Sequence, residues 1–254
     1  MRKVSLLILS LILMFIINAC SSKKNILYLQ EKNDNISVQF KDYLLQTDDI
    51  IKITFNGLKP SVALGYSNEN LSTMPSTLDV MKVEGFQVNQ DGFINIVGIG
   101  EVLVRGLSTS DVMKKLKNTL ITKGLLTEPS IDVKLLNASF TIIGDVAMPG
   151  RYNFLKNNLN IFEAIGMAGD LNITGQRDNI KLIRTIDNNK TIVNNINLTK
   201  LQSVNNNFQI FSGDIILVNP NTTKIKTAGV IGNSGTLLSL LTFLLSSIIL
   251  LTNS

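Results

Sequence analysis

The sequence holds no histidine, no tryptophan and one cysteine, Cys20. Without imidazole there is no Ser-His or Cys-His nucleophile pair and no His-ligated metal site. A single thiol excludes an internal disulfide. Charge is sparse, at 17% of residues, and no charged side chain follows Lys226. The 24 basic and 19 acidic residues give a formal +5, which falls to +3 when Arg2 and Lys3 leave with a cleaved leader. So mild an excess, with no basic stripe interleaved with aromatics, argues against nucleic acid as a partner.

The uncharged end reads TLLSLLTFLLSSIILL from Thr236 to Leu251. On a helix of about 100° per residue, Thr236, Ser239, Thr242, Ser246 and Ser247 fall in an arc of roughly 140°, shared with Phe243 and Leu250. The other side carries only Leu and Ile, among them Leu237, Leu241, Leu244, Leu245 and Ile248. The expectation is a transmembrane helix over 236–252, with the hydroxyl residues lining a pore and the Leu and Ile residues facing lipid. Sixteen residues span about 24 Å, short for a typical bilayer but suited to the thinner bacterial outer membrane. A core helix of a soluble domain, or a membrane helix whose hydroxyls bond back to their own carbonyls, would carry the same pattern. A closed ring of copies would turn every hydroxyl face inward while all backbone bonds stay within each helix.

At the other end, Arg2 and Lys3 precede the apolar run Val4 to Ile17, the signature of a secretion signal. Ile17-Asn18-Ala19-Cys20 resembles the lipobox of bacterial lipoproteins, which implies a leader over 1–19 and acylation of Cys20. Each buried acyl methylene would add about 0.8 kcal/mol of membrane affinity. Ser21 at the next position implies, by the known sorting rules, the outer membrane. Residues 20–42 read as a lipidated tether with one strand at Ile26–Leu29.

Between the two ends the pattern is mixed. In YLLQTDDIIKITF, Ile51, Ile53 and Phe55 alternate with Lys52 and Thr54, a half-buried strand. Asn56 to Pro75 reads as a long loop. Phe86–Val88 and Phe93–Ile96 flank Asp91-Gly92 and read as a hairpin, and Gly98-Ile99-Gly100 allows a bend. Ser108 can cap a helix running to Ile121, with Asp111 three residues on and Val112, Leu116 and Leu120 along one face. Pro129 opens a strand at Ile131–Leu135. This order, with VNQDGFINIVGIGEVLVRGLS and PSIDVKLL, resembles the periplasmic domain of the polysaccharide export family, the Wza-type outer-membrane lipoproteins.

A second unit comes next. Phe140–Val146 is a strand, and Pro149-Gly150 turns into Arg151–Phe154. Asn160 caps a short helix with Glu163 at its third position, and Gly169 ends it. Asn179–Ile186 and Lys190–Asn197 form a hairpin, and Gly213-Asp214 leads into Ile215–Val218. IIGDVAMPGRYNF, NIFEAIGMAGD, IKLIRT and FSGDIILV resemble the soluble-ligand-binding β-grasp (SLBB) domain of the same family. Where members often have Ala-Gly-Gly, this chain has Ala168-Gly169-Asp170, a small change at a helix end.

The expected fold is α+β: a polysaccharide-export domain over 43–136, one SLBB β-grasp domain over 137–220, a linker over 221–235 and a single C-terminal transmembrane helix. The resemblance implies an export channel for capsule or exopolysaccharide, built as a homo-oligomeric, octamer-like ring. It also implies an inner-membrane copolymerase or tyrosine-kinase partner, outer-membrane lipids around the helix, and no cofactor beyond the lipid on Cys20. A tethered glycan- or ligand-binding lipoprotein without a pore is the alternative. A carboxylate-pair hydrolase would need two of Asp48, Asp49, Glu84, Asp91, Asp145 and Asp214 at the right spacing. Most of these sit where Asp shapes turns.

Overall fold

The computed structural model describes residues 26–30, 39–56, 85–186, 190–200, 209–227, 235, 238–240, 242–243 and 246–247. Two units succeed one another along the chain, each with its own core.

In the first unit, β1 (Ile50–Asn56) is the middle of a three-stranded sheet, between β2 (Phe86–Gln87) and β5 (Ser130–Leu135). Alternation decides its faces. Ile51, Ile53 and Phe55 are buried, and pair with Leu135, Val133 and Ile131 of β5. Helix α1 (Thr109–Thr122) contributes Val112, Leu116 and Leu120 to the same core. Its cap forms as the sequence suggests, with the Ser108 hydroxyl accepting from the Asp111 backbone N–H at 3.1 Å.

The expected hairpin of Phe86–Val88 with Phe93–Ile96 does not form. The turn at Asp91-Gly92 is present, closed by Gly92 N–H on the Asn89 carbonyl at 2.9 Å. But β2 pairs with β1, and Val88 exchanges backbone bonds with Asp48 and Asp49. Strand β3 (Phe93–Ile96) folds instead onto β4 (Gly100–Leu103). Gly98 and Gly100, with φ of 79° and 92°, supply the left-handed residues that so short a connection needs.

The second unit is one five-stranded sheet in the order β7-β6-β10-β8-β9. Its strands are β6 (Ser139–Gly144), β7 (Gly150–Asn153), β8 (Gly175–Ile186), β9 (Lys190–Ile196) and β10 (Ile215–Pro220), with α2 (Ile161–Met167) between β7 and β8. The last strand enters the middle, parallel to β6 and antiparallel to β8. Phe140, Ile142, Ile180, Leu182, Ile216 and Val218 from the sheet meet Ile161, Ala164 and Ile165 of α2. A complete capping box starts α2, with Asn160 and Glu163 each accepting the other's backbone N–H.

The parallel pair gives this unit two unlike ends. Where β6 and β10 begin, it meets the first unit. Where they finish lie the segment after Gly144, the loop before Gly175, and α3 (Thr222–Thr227), which occupies the expected linker. The tether differs from expectation too. Leu29 has φ 46°, so Ile26–Leu29 is no strand. Instead Leu29 and Gln30 donate to the carbonyls of Leu198 and Thr199, at 3.1 and 2.8 Å, and lie against the second unit.

Gly144 ends β6 at φ 99°, and a Cβ there would stand 2.0 Å from the Val218 carbonyl oxygen. Gly144→Ala is expected to cost more than the roughly 1–3 kcal/mol of backbone strain alone. Gly166→Ala in α2 meets nothing within 4 Å and should gain about 0.5–1 kcal/mol. Urea denaturation of both variants checks the pair; equal midpoints would contradict this account of the β6–β10 contact.

Candidate functional site

Three places hold the polar residues that do more than cover the surface. The first is the far end of the second unit. Asp145 is buried there, 3% exposed. Its carboxylate accepts from Lys224 Nζ at 2.5 Å, Thr174 Oγ1 at 2.6 Å and Asn172 Nδ2 at 2.8 Å. Burial works against its charge, but these three donors together hold the carboxyl below the usual carboxylate range. Asn221 N–H donates to the Thr174 carbonyl at 2.7 Å, and the Asn221 side chain caps α3 by accepting from Lys224 N–H at 2.9 Å.

The same loop holds the N-terminal tether. Tyr28 Oη donates to Asp170 Oδ1 at 2.5 Å, and its ring meets Phe162 edge-on. The Arg177 guanidinium lies over that ring at 5.1 Å. Arg177 is itself buried and donates to the carbonyls of Leu171, Asn172 and Gly175. Among the described residues its Nε has no hydrogen-bond partner. Asp170 is more than a small change at a helix end. It takes a left-handed φ of 77°, and its carboxylate serves both Leu171 N–H and Tyr28. Burial first, then Asp170, pushes the Tyr28 phenol up.

The second place is the joint between the units. Tyr43 Oη donates to Asp49 at 3.0 and 3.3 Å, and its ring packs on Phe211 at 6.1 Å. Arg184 stacks on Phe211 at 4.3 Å and grips Asp214 through two bonds of 2.7 and 2.6 Å. Asn137, between β5 and β6, accepts from Ile50 N–H and donates to the Asp48 carbonyl. Gln209 bonds the backbone of Lys41 both ways at 2.8 Å. A cleft of about 290 Å³ opens beside the joint, lined by Tyr43, Leu44, Gln46, Arg184, Ile186 and Phe211 among others.

These contacts also account for most of the candidate acids. Asp214 stands just before Ile215, which pairs with Thr141, and Asp145 just after Gly144, which pairs with Val218, so about 17 Å separates them, beyond hydrolase spacing. Asp214 is fully engaged by Arg184 and Phe211 N–H, and burial raises its pKa against the pull of Arg184. Asp48 takes φ 69° and accepts from Gln87. Asp91 sits in an exposed turn, and Glu84 lies outside the described residues.

The third place is the C-terminal stretch. Cys20, Thr236, Leu237, Leu241, Leu244, Leu245 and Ile248 lie outside the described residues. Ser239, Thr242, Ser246 and Ser247 are helical. Thr242 Oγ1 donates to the Ser239 carbonyl and Ser246 Oγ to that of Phe243, both at 2.9 Å. Leu238, Leu240 and Phe243 are 68%, 59% and 71% exposed, so this is no core helix of the chain's own fold. Among the described residues no helix is long and apolar enough to cross a membrane, so the crossing expected of 236–252 draws no support from them.

Sequence reasoning missed Tyr28, Thr174, Arg177 and Asn221. Only Asn221, three residues before Lys224, carried a local signal, that of a helix cap.

Residues 37–136 match the family of polysaccharide biosynthesis/export proteins. The strands and helix of the first unit, from Ile50 to Leu135, lie wholly inside that span. The first unit is a polysaccharide-export domain. The match covers less than half of the chain, and the domain it marks supports a role in polysaccharide export. No curated protein matches the chain at a significant level.

Burial pushes Asp49 from 3.8 up to about 6. A raised carboxyl favours the protonated fold, so its contribution is complete below the ordinary carboxylate range and is lost as pH rises through about 6. Unfolding free energy should fall by up to about 3 kcal/mol across that window. Asp49→Asn keeps the acceptor for Gln46 N–H and should flatten the curve while raising stability at neutral pH. Chemical denaturation at stepped pH reads both, and superimposable wild-type and variant profiles would refute the burial account.

Proposed function

We propose that the chain forms an outer-membrane export channel for capsule or exopolysaccharide. Copies lipidated at Cys20 assemble as a closed ring, and their C-terminal helices make an α-helical pore. The observation that carries this reading is the exposed apolar surface of the terminal helix, at Leu238 and Leu240 on its Leu and Ile side and at Phe243 among its hydroxyl residues, which nothing in the described fold covers. Lipid on one side and neighbouring helices on the other would cover it. The Thr242 and Ser246 hydroxyls bond back to helix carbonyls, which lowers the cost of carrying them through a bilayer and leaves their lone pairs for water in a lumen.

The second unit serves as the SLBB β-grasp module of the ring. Its sheet order supports this: two hairpins, β6-β7 and β8-β9, flank the central strand β10, which runs parallel to β6, and one helix packs on the sheet. The export domain, at the opposite end from α3, reaches into the periplasm toward an inner-membrane copolymerase or tyrosine kinase. A second reading, a tethered glycan- or ligand-binding lipoprotein without a pore, is favoured by the cleft beside Tyr43 and Arg184.

Single cysteines separate the readings, since an acylated Cys20 leaves no competing thiol. In assembled protein, Ser239→Cys and Ser246→Cys should react with small water-soluble thiol reagents, while Leu241→Cys and Leu245→Cys stay protected. Equal labelling of both sides, or recovery of monomers after crosslinking in membranes, would leave the binding lipoprotein as the better description.

A further inference from the structure

The segments around Tyr28 and around Lys224 are both pinned at one loop of the second unit. Tyr28 holds the tether to Asp170 and Arg177. Asn221 and Lys224 hold the exit of β10 to Thr174 and Asp145. Between these two points Arg177 binds the loop to itself and Asn172 binds it to Asp145. Cys20 precedes Tyr28 by eight residues, a reach of no more than about 29 Å even fully extended. Thr236 follows Lys224 by twelve. The lipid anchor and the terminal helix proposed above therefore leave the body from a single place.

That place also presents exposed apolar side chains. Ile173 in the loop is 71% exposed, Met148 after β6 is 56% exposed and Ile225 on α3 is 58% exposed. Their neighbourhood is fixed by backbone bonds. Met148 N–H donates to the Ala168 carbonyl, Asn172 N–H to that of Asp145, and Ile225 N–H to that of Asn221. The cationic Lys224 among them is turned inward onto Asp145. The first unit joins the opposite end of the sheet, through Tyr43 and Phe211.

We infer that Met148, Ile173 and Ile225 form a bilayer-seating patch that rests on the periplasmic leaflet of the outer membrane. This rests on the membrane attachments of the proposed function, and adds a third contact to them. Two short leads converging on one face bring that face to the lipid surface. Exposed Ile and Met side chains there enter the headgroup boundary to a depth of about 5–10 Å. The clamp around Arg177 and Asp145 keeps the patch level, because it holds Tyr28 and Lys224 to the loop that carries Ile173.

The test uses the full-length acylated protein in phosphatidylethanolamine–phosphatidylglycerol vesicles, with some lipids carrying a nitroxide near the headgroup. Ile173→Cys, Ile225→Cys and, as control, Leu155→Cys are each labelled with an environment-sensitive fluorophore. Leu155 is 78% exposed and lies beside Phe154 and Tyr43, at the export-domain end. Flotation with the vesicles, loss of emission at positions 173 and 225, and retained emission at 155 are the expected result. Flotation with all three labels unquenched overturns the patch and leaves the membrane attachments standing. Failure to float overturns both. Labels at 173 and 225 that are shielded from water yet untouched by the lipid nitroxide assign the face to a neighbouring copy and overturn lipid as its occupant.

Discussion

A charged carboxylate removed from water needs donors at every side, and the fold brings them to Asp145 from distant segments. Lys224, Thr174 and Asn172 come from α3 and from the loop before β8. Removing one partner of a buried charge generally costs about 3–5 kcal/mol, because the other is left unpaired in a poor solvent. The three segments are therefore held as a unit. The direction in which the chain leaves β10 is set by that requirement rather than by the helix propensity of TTKIKT, too short to be stable alone.

The two ends of the β6–β10 pair divide the work. At one, aromatic and ionic contacts join the export domain: Tyr43 on Phe211, Arg184 on Asp214, Asn137 bracketing β1. Asn137 and Gln209 add bonds to backbone groups there, so the joint reads as a fixed coupling. At the other, the loop from Asp170 to Arg177 binds the chain's two leads. A polysaccharide-export domain is thus carried on a module whose opposite end gathers the segments around Tyr28 and Lys224.

Much of the fold was legible because it is local. Ile51, Ile53 and Phe55 alternate over successive residues, and Val112, Leu116 and Leu120 recur every helical turn, so each names its buried face without knowledge of the partner. Caps at Ser108 and Asn160 are set within three residues. Strand pairing is not local. The Asp91-Gly92 turn was visible, yet which strands it separates depended on β1 claiming Phe86 and Gln87 first. Asp170 read as a minor change at a helix end because its partner, Tyr28, lies 142 residues away.

The amphipathic terminal stretch, the lipobox-like Cys20, the lack of imidazole and the order of short strands and capped helices were properties of the sequence alone, since each depends on residues a few positions apart. The meeting of Tyr28 with Arg177, of Asp145 with Lys224 and of Tyr43 with Asp49 and Phe211 was decided only by the tertiary structure. Those contacts join residues that share no periodicity. They exist because packing two cores brings the segments together and burial then obliges each polar group to find a partner.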